Sequence, residues 1–187
     1  MVPAMTGYPK EYEKTLTLKD GTTVHFRPEL HTDTEMLWQM FSTLSQESLR
    51  NLVNPFPRER IKQWTSNINY DKTLPIVAVV QESRKPRIVA TASLEFRSAP
   101  GEKHKADFGI TVHDAYQNQG IGTALTKHIV SLARKKGLCK INLRVTAPNK
   151  RAIHVYEKCG FKTEARLRKE NFINEKYIDD LVMSIFL

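Results

Sequence analysis

The sequence predicts an α/β (α+β) fold, with strands and helices interleaved along a chain of 187 residues. Three observations predict it. Between 106 and 112, Ala106, Phe108, Ile110 and Val112 alternate with Asp107, Gly109 and Thr111, the period of a strand with two unlike faces. From Ile121 the apolar residues recur instead at Leu125, Ile129 and Leu132, the spacing of one helix face. Nearer the start, Lys19-Asp20-Gly21 separates two β-rich runs, 15–18 and 22–26, as a hairpin turn does.

The remaining elements follow in order. Residues 1–14 form an N-terminal extension: they bear Pro and Gly and lack the long apolar run of a signal peptide or membrane span. After the hairpin, Met36, Leu37, Met40, Phe41 and Leu44 are helically spaced over 32–44, with Asp33 and Glu35 suited to the first turn. A second helix is expected over 58–68, joined to the first around Pro55 and Pro57. Two strands, 74–81 and 88–97, flank the polar turn 82–86, and the turn 98–102 leads to the strand at 106–112. The helix from Ile121 ends in Arg134-Lys135-Lys136 with Gly137 as its cap. Ile141, Leu143 and Val145 mark a strand, 150–158 a helix and 182–186 a closing strand. No repeat, low-complexity tract or linker interrupts 15–187, which reads as one domain.

Lys and Arg number 29 against 20 Asp and Glu, a formal charge of +9. Such a balance favours polyanions such as phosphorylated cofactors. The basic clusters, Arg134-Lys135-Lys136 and Lys150-Arg151, read as solvated helix faces. No aromatic-rich RNA motif or recognition helix is present, which argues against nucleic acid. Cys139 and Cys159 lack zinc-ligand spacing and lie in apolar runs. They read as buried structural thiols in a reducing, cytoplasmic setting, and no metal site is expected.

Gly120 and Gly122 fall where a strand hands over to a helix. The first helical amides have no partner inside the helix, and the dipole puts partial positive charge there. Glycines let an anion approach, and Gln117, Asn118, Gln119 and Thr123 can add side-chain hydrogen bonds. A turn with no ligand is an equal reading of these residues alone. The lysine of a triphosphate loop and the longer glycine pattern of a dinucleotide fold are both missing.

The run Gln117-Asn118-Gln119-Gly120-Ile121-Gly122 resembles the Gln/Arg-x-x-Gly-x-Gly/Ala signature of the GNAT superfamily of acyl-CoA-dependent N-acetyltransferases. A second segment, with Asn149, Ala152, Tyr156 and then Gly160-Phe161, is similar to that family's other motif. The resemblance implies a GNAT fold: a mixed, mostly antiparallel sheet with splayed middle strands and helices on both faces. The pantetheine arm of acetyl-CoA would lie in the splay, bonded to the backbone of Ile110, Thr111 and Val112 as an added strand is. Residues 117–123, Ile121 included, would hold the pyrophosphate, and Asn149 would touch the pantetheine side.

The resemblance further implies a direct attack by an amine in a ternary complex. Removing a proton from an amine of pKa about 10.4 costs about 4.6 kcal/mol at pH 7, against about 2 kcal/mol for a thiolate leaving group. Tyr156 matches the family's donor to the departing sulfur. Ribosomal-protein acetyltransferases carry a glutamate where this chain has Arg144, so the base is expected to be Asp107, Glu95 or a water chain. The run 160–183 is similar to the ending of protein N-terminal and antibiotic-resistance acetyltransferases, and 18–28 to the start of the GNAT domain in protein-lysine acetyltransferases. The expected acceptor is a protein lysine or N-terminal amine, and the alternatives are a polyamine, amino acid or antibiotic. A non-catalytic module sensing coenzyme A or binding nucleic acid is the reading from another class. No membrane partner is expected, and a homodimer is carried as an expectation.

Overall fold

The computed structural model describes residues 7–52 and 56–187, so Pro55 and the first six residues lie outside the described residues. β1 (Lys14–Thr17) and β2 (Thr23–Pro28) form the expected hairpin, turned by Gly21 at φ +87°. α1 (Thr34–Ser42), α2 (Gln46–Asn51) and α3 (Arg58–Ser66) follow, then the antiparallel strands β3 (Thr73–Glu82), β4 (Lys85–Phe96) and β5 (Lys105–Val112). A 3-10 turn at Asp114–Tyr116 leads to α4 (Ile121–Lys135), β6 (Lys140–Thr146), α5 (Lys150–Lys158), β7 (Lys162–Ile173) and β8 (Lys176–Phe186). These strands make one eight-stranded sheet in the order β1-β2-β3-β4-β5-β6-β8-β7.

Only the β5–β6 neighbours are parallel, and they pair over three positions, from Lys105 with Lys140 to Asp107 with Asn142. Beyond that point the two strands diverge, as the splay requires. Helices cover both faces. Leu37, Met40 and Phe41 of α1 and Ile61 of α3 pack on Val77, Val79 and Ile88. Ile121, Leu125, Ile129 and Leu132 of α4 pack with Ile76, Ala78, Ala92 and Leu94 on the other face. β3 is therefore buried on both sides, which is why its sequence is a near-continuous apolar run.

α4 ends as expected. Gly137 at φ +74° lets its own N–H bond Arg134 C=O and the Leu138 N–H bond Ala133 C=O, at 3.0 and 3.1 Å. Elsewhere the structure departs from the expectations. Within the expected extension 1–14, Tyr8 and Tyr12 pack on the core and the Tyr12 carbonyl is 2.8 Å from His128 Nε2. Two elements were not expected. α2 is six residues long, too short to show a period, and is started by Ser45, whose hydroxyl accepts from Ser48 N–H. β7 is an almost wholly exposed, charge-rich edge strand held by pairing with β8. Its turn uses Asn174 and Glu175 at φ +49° and +61°, without the usual glycine. Neither cysteine is fully buried: Cys139 is exposed and Cys159 half-buried, since both stand at element ends rather than inside the apolar runs.

Candidate active site

One cavity of about 970 Å³ runs along the splay from the N-terminus of α4 to the underside of α1 and α3. Its β5 wall has an edge free to bond. His113 N–H donates to Val89 C=O at 2.8 Å and Arg97 N–H to Lys105 C=O at 3.2 Å, so Val89–His113 and Arg97–Lys105 are hydrogen-bonded pairs of the β4–β5 ladder. Bonded pairs alternate with non-bonded ones, which commits Thr111 to β4 and turns the backbone of Ile110 and Val112 toward the splay. Thr111 therefore corrects the expectation: its backbone belongs to the sheet, and it meets the cavity through its side chain. Val112 C=O is also used, accepting from Gln117 Nε2 at 2.9 Å. The Ile110 amide and carbonyl and the Val112 N–H are what the geometry offers an incoming strand-like ligand.

The turn before α4 is built from positive φ angles, +61° at Asn118 and +88° at Gly120. It presents the amides of Ile121, Gly122 and Thr123 ahead of the first helical bond, from Ala124 N–H to Gly120 C=O at 2.9 Å. Gln117, Asn118, Gly120, Gly122 and Thr123 line the cavity. Two expected residues, Ile121 and Gln119, do not. Ile121 is fully buried in the core and can offer only its N–H, while Gln119 is exposed, with Nε2 donating to Ala115 C=O at 3.0 Å. Arg151 and Lys158 of α5 do line the cavity, so those cations are not merely part of a solvated face.

α2 ties this turn to the rest of the site. Asp114 accepts from Ser45 N–H at 2.8 Å, Ser45 Oγ at 2.6 Å and Ser48 Oγ at 2.7 Å. Burial would raise the Asp114 pKa, but these bonds outweigh it and hold the pKa below its ordinary value. At the far end of α2, Asn51 Oδ1 accepts from Thr146 Oγ1 at 3.2 Å. The helix thus touches the ends of both β5 and β6 and spans the mouth of the splay.

On the opposite wall Asn149 caps α5, its Oδ1 accepting from Ala152 N–H at 3.2 Å, which leaves its amide group for the cavity. Tyr156 is 6% exposed and packs edge-on against Phe108 at 6.1 Å. Gly160 at φ +98° ends α5 and drops Phe161 beneath Tyr156, which is the local reason for that Gly-Phe pair. The Tyr156 hydroxyl makes no hydrogen bond to a described residue, and among the described residues no sealed side-chain oxygen lacks a partner, so this hydroxyl opens to the cavity. Burial pushes its pKa well up, which keeps it protonated.

The expected acids separate. Glu95 lines the cavity on the face that carries Thr91 and Ser93. Asp107 does not line it, and its carboxylate is held by Arg97 at 2.6 Å. That half-exposed ion pair engages one of the two carboxylate oxygens, Oδ2. Sequence reasoning missed Glu29, which is 5% exposed and lines the cavity beneath α1. Burial, with Asp33 adding to it, raises the Glu29 pKa to about 8. Its only signal in the sequence is a charge directly after a strand, which surface turns share.

With this geometry in place, comparisons with known proteins become specific. The family model described as "Acetyltransferase (GNAT) family" matches residues 38–161. The chain is 26% identical over 162 residues to the L-amino acid N-acetyltransferase AaaT of Escherichia coli (strain K12), covering 86% of each. It is 40% identical over 65 residues to the [Ribosomal protein bS18]-alanine N-acetyltransferase of the same strain, a match to 35% of this chain and 43% of that protein. The crystal structure of the GNAT domain of S. lividans PAT superposes with a TM-score of 0.77 at 24% identity, over 97% of this chain and all of that one.

Proposed function

The chain belongs to the GNAT acetyltransferase family, and from that premise we propose that it transfers the acetyl group of acetyl-CoA to a primary amine by direct attack in a ternary complex. The carrying observation is the single cavity that joins the free amides of α4, the unpaired edge of β5, Tyr156 and Glu95. The amides and Asn118 bind the pyrophosphate, with Gln117 holding the turn in place, and Arg151 and Lys158 add positive charge for the remaining phosphate. Ile110 and Val112 take the pantetheine amides as a neighbouring strand would, and the Asn149 amide group faces the same arm.

Deprotonating the amine is the larger demand, and Glu95, directly or through water, accepts that proton. Tyr156 donates a hydrogen bond to the sulfur as the carbon–sulfur bond breaks. Its raised pKa makes complete transfer to a thiolate of pKa about 8.5 uphill, so the sulfur is stabilised by the bond and the proton balance closes through solvent.

Each acceptor class has its own support. The ribosomal-protein match, 40% identical over 65 residues, supports a protein lysine or N-terminal amine. The AaaT match, which spans most of both chains, supports a small amine. Thermal unfolding with acetyl-CoA tests the donor site: at 100 times the dissociation constant the fold gains about 2.7 kcal/mol, a shift of roughly 5–10 °C. Dephospho-coenzyme A is expected to shift it less. Thiol release in the presence of lysine peptides and of free amino acids then tests the acceptor, and no shift with acetyl-CoA would overturn the reading.

A further inference from the structure

Glu29 is a buried carboxylate without a partner. Its side chain makes no hydrogen bond or ion pair with a described residue, and since sealed oxygens all have partners, it opens into the cavity that it lines. The groups around it are committed elsewhere. Arg27 holds both oxygens of Asp33 at 2.7 Å and also bonds Pro28 C=O, and the Tyr70 hydroxyl donates to the Glu29 backbone carbonyl at 2.6 Å. Burial without a partner disfavours the charged form of this carboxyl group, and groups perturbed in this way concentrate where a ligand completes them.

Its position says what that ligand spans. Glu29 N–H bonds Pro75 C=O, Pro75 is in register with Ser93, and Ser93 with Gly109. All four lie in one row on the face under α1 and α3. At about 4.8 Å per strand, Glu29 stands about 14 Å from Gly109, the neighbour of Ile110 at the splay. An acceptor whose reacting amine lies near Ile110 must therefore extend on the order of 10 Å or more to meet the Glu29 carboxyl group. Between the two ends the cavity is bounded by Pro75, Ser93, Leu37, Phe41 and Ile68, which suit a methylene chain.

We infer that Glu29 receives a second cationic group of the acceptor, so that the substrate is an extended dication, a chemistry shared by linear polyamines and dibasic peptides. This rests on the acetyl-transfer reading above. Because the Glu29 pKa is near 8, with Asp33, Arg27 and Tyr70 as the charged or titratable groups acting on it, an ammonium must displace a proton below that pH. Affinity for a dication therefore strengthens as pH rises toward 8, and affinity for a monoamine lacks this component.

The test is steady-state thiol release by the purified chain at saturating acetyl-CoA, with hexylamine, hexamethylenediamine, spermidine and a peptide with two lysines as acceptors. The KM of hexamethylenediamine is expected to lie about tenfold or more below that of hexylamine, with the ratio growing as pH rises from 6 to 8. Glu29→Gln removes that advantage, bringing the KM of hexamethylenediamine up to that of hexylamine. Spermidine outperforming the peptide assigns the dication to polyamines, and the reverse assigns it to peptides. Equal KM values for monoamine and diamine, or a Glu29→Gln variant that still prefers the diamine, overturn the inference while acetyl transfer stands. If acetyl-CoA binds but no amine is acetylated, the acetyl-transfer reading and the inference both fail.

Discussion

Tyr156 and Glu29 are raised in pKa by the same cause, burial in one cavity, and the consequences differ with where each group's ordinary pKa lies. For Tyr156 burial holds the neutral, donating form. Tyr156→Phe is expected to keep acetyl-CoA affinity and to lower kcat by on the order of a hundredfold. Its hydroxyl has no partner to strand, so urea unfolding should move by no more than about 1 kcal/mol. For Glu29 the folded pKa of about 8 exceeds the ordinary glutamate value of 4.5, so folded chains keep a proton that unfolded chains release. Stability is therefore lost as pH rises from about 4.5 to 8. Glu29→Gln avoids the loss and should be the more stable protein at pH 9, by at most about 5 kcal/mol, with the difference vanishing at pH 4; urea titrations at both values check it. Gly122 gives a third case. A Cβ there would meet Val112 Cγ2 at 3.6 Å, an ordinary contact, so Gly122→Ala should stabilise α4 by up to about 1 kcal/mol. The methyl nonetheless projects at the phosphate turn, and calorimetric titration should show acetyl-CoA binding about tenfold more weakly. Of these residues, Tyr156 and Gly122 were legible because their motifs set them at fixed spacing. Glu29 was not, because what distinguishes it is what surrounds it.

At the scale of elements, α2 does more than its length suggests. Six residues bridge the ends of two diverging strands through Asp114 and Asn51, so the opening of the splay is fixed by side chains rather than by sheet bonds. Asp114→Ala would leave the Ser45 amide and two serine hydroxyls without their acceptor, at a cost of about 1–3 kcal/mol. We expect faster hydrogen exchange over Gln46–Asn51 and weaker acetyl-CoA binding, with little change in exchange over α4, since its apolar face stays packed. Retained protection of α2 in that variant would show that its apolar packing, not Asp114, holds it. The longer helices and the interior strands were readable because burial imposes a period on them. α2 and β7 escaped for opposite reasons: one is shorter than a helical period can reveal, and the other has neither face buried.

Across the whole molecule, a formal charge of +9 coexists with a cavity that holds Glu29 and Glu95 at its acceptor end and Arg151 and Lys158 near the α4 turn. Arg60 of α3, Lys72 and Arg144 also line the cavity, so Glu29 and Glu95 are acids among cations rather than one end of a two-pole groove. Raising salt should weaken acetyl-CoA binding at the exposed cations more than acceptor binding at buried Glu29, which titrations at two ionic strengths would separate. The sequence by itself determined the α/β class, the strand-to-helix turn that can hold a phosphate and the Asn149–Tyr156 motif. Each of these is written in local spacing, and backbone geometry turns local spacing into a face or a turn. Only the tertiary structure decided which β5 backbone groups face the splay, that Asp107 is held by Arg97, that α2 spans the mouth and that Glu29 stands unpaired in the cavity. Those four depend on strand register and on side chains brought together from distant positions, and pairing across such distances leaves no period in the chain.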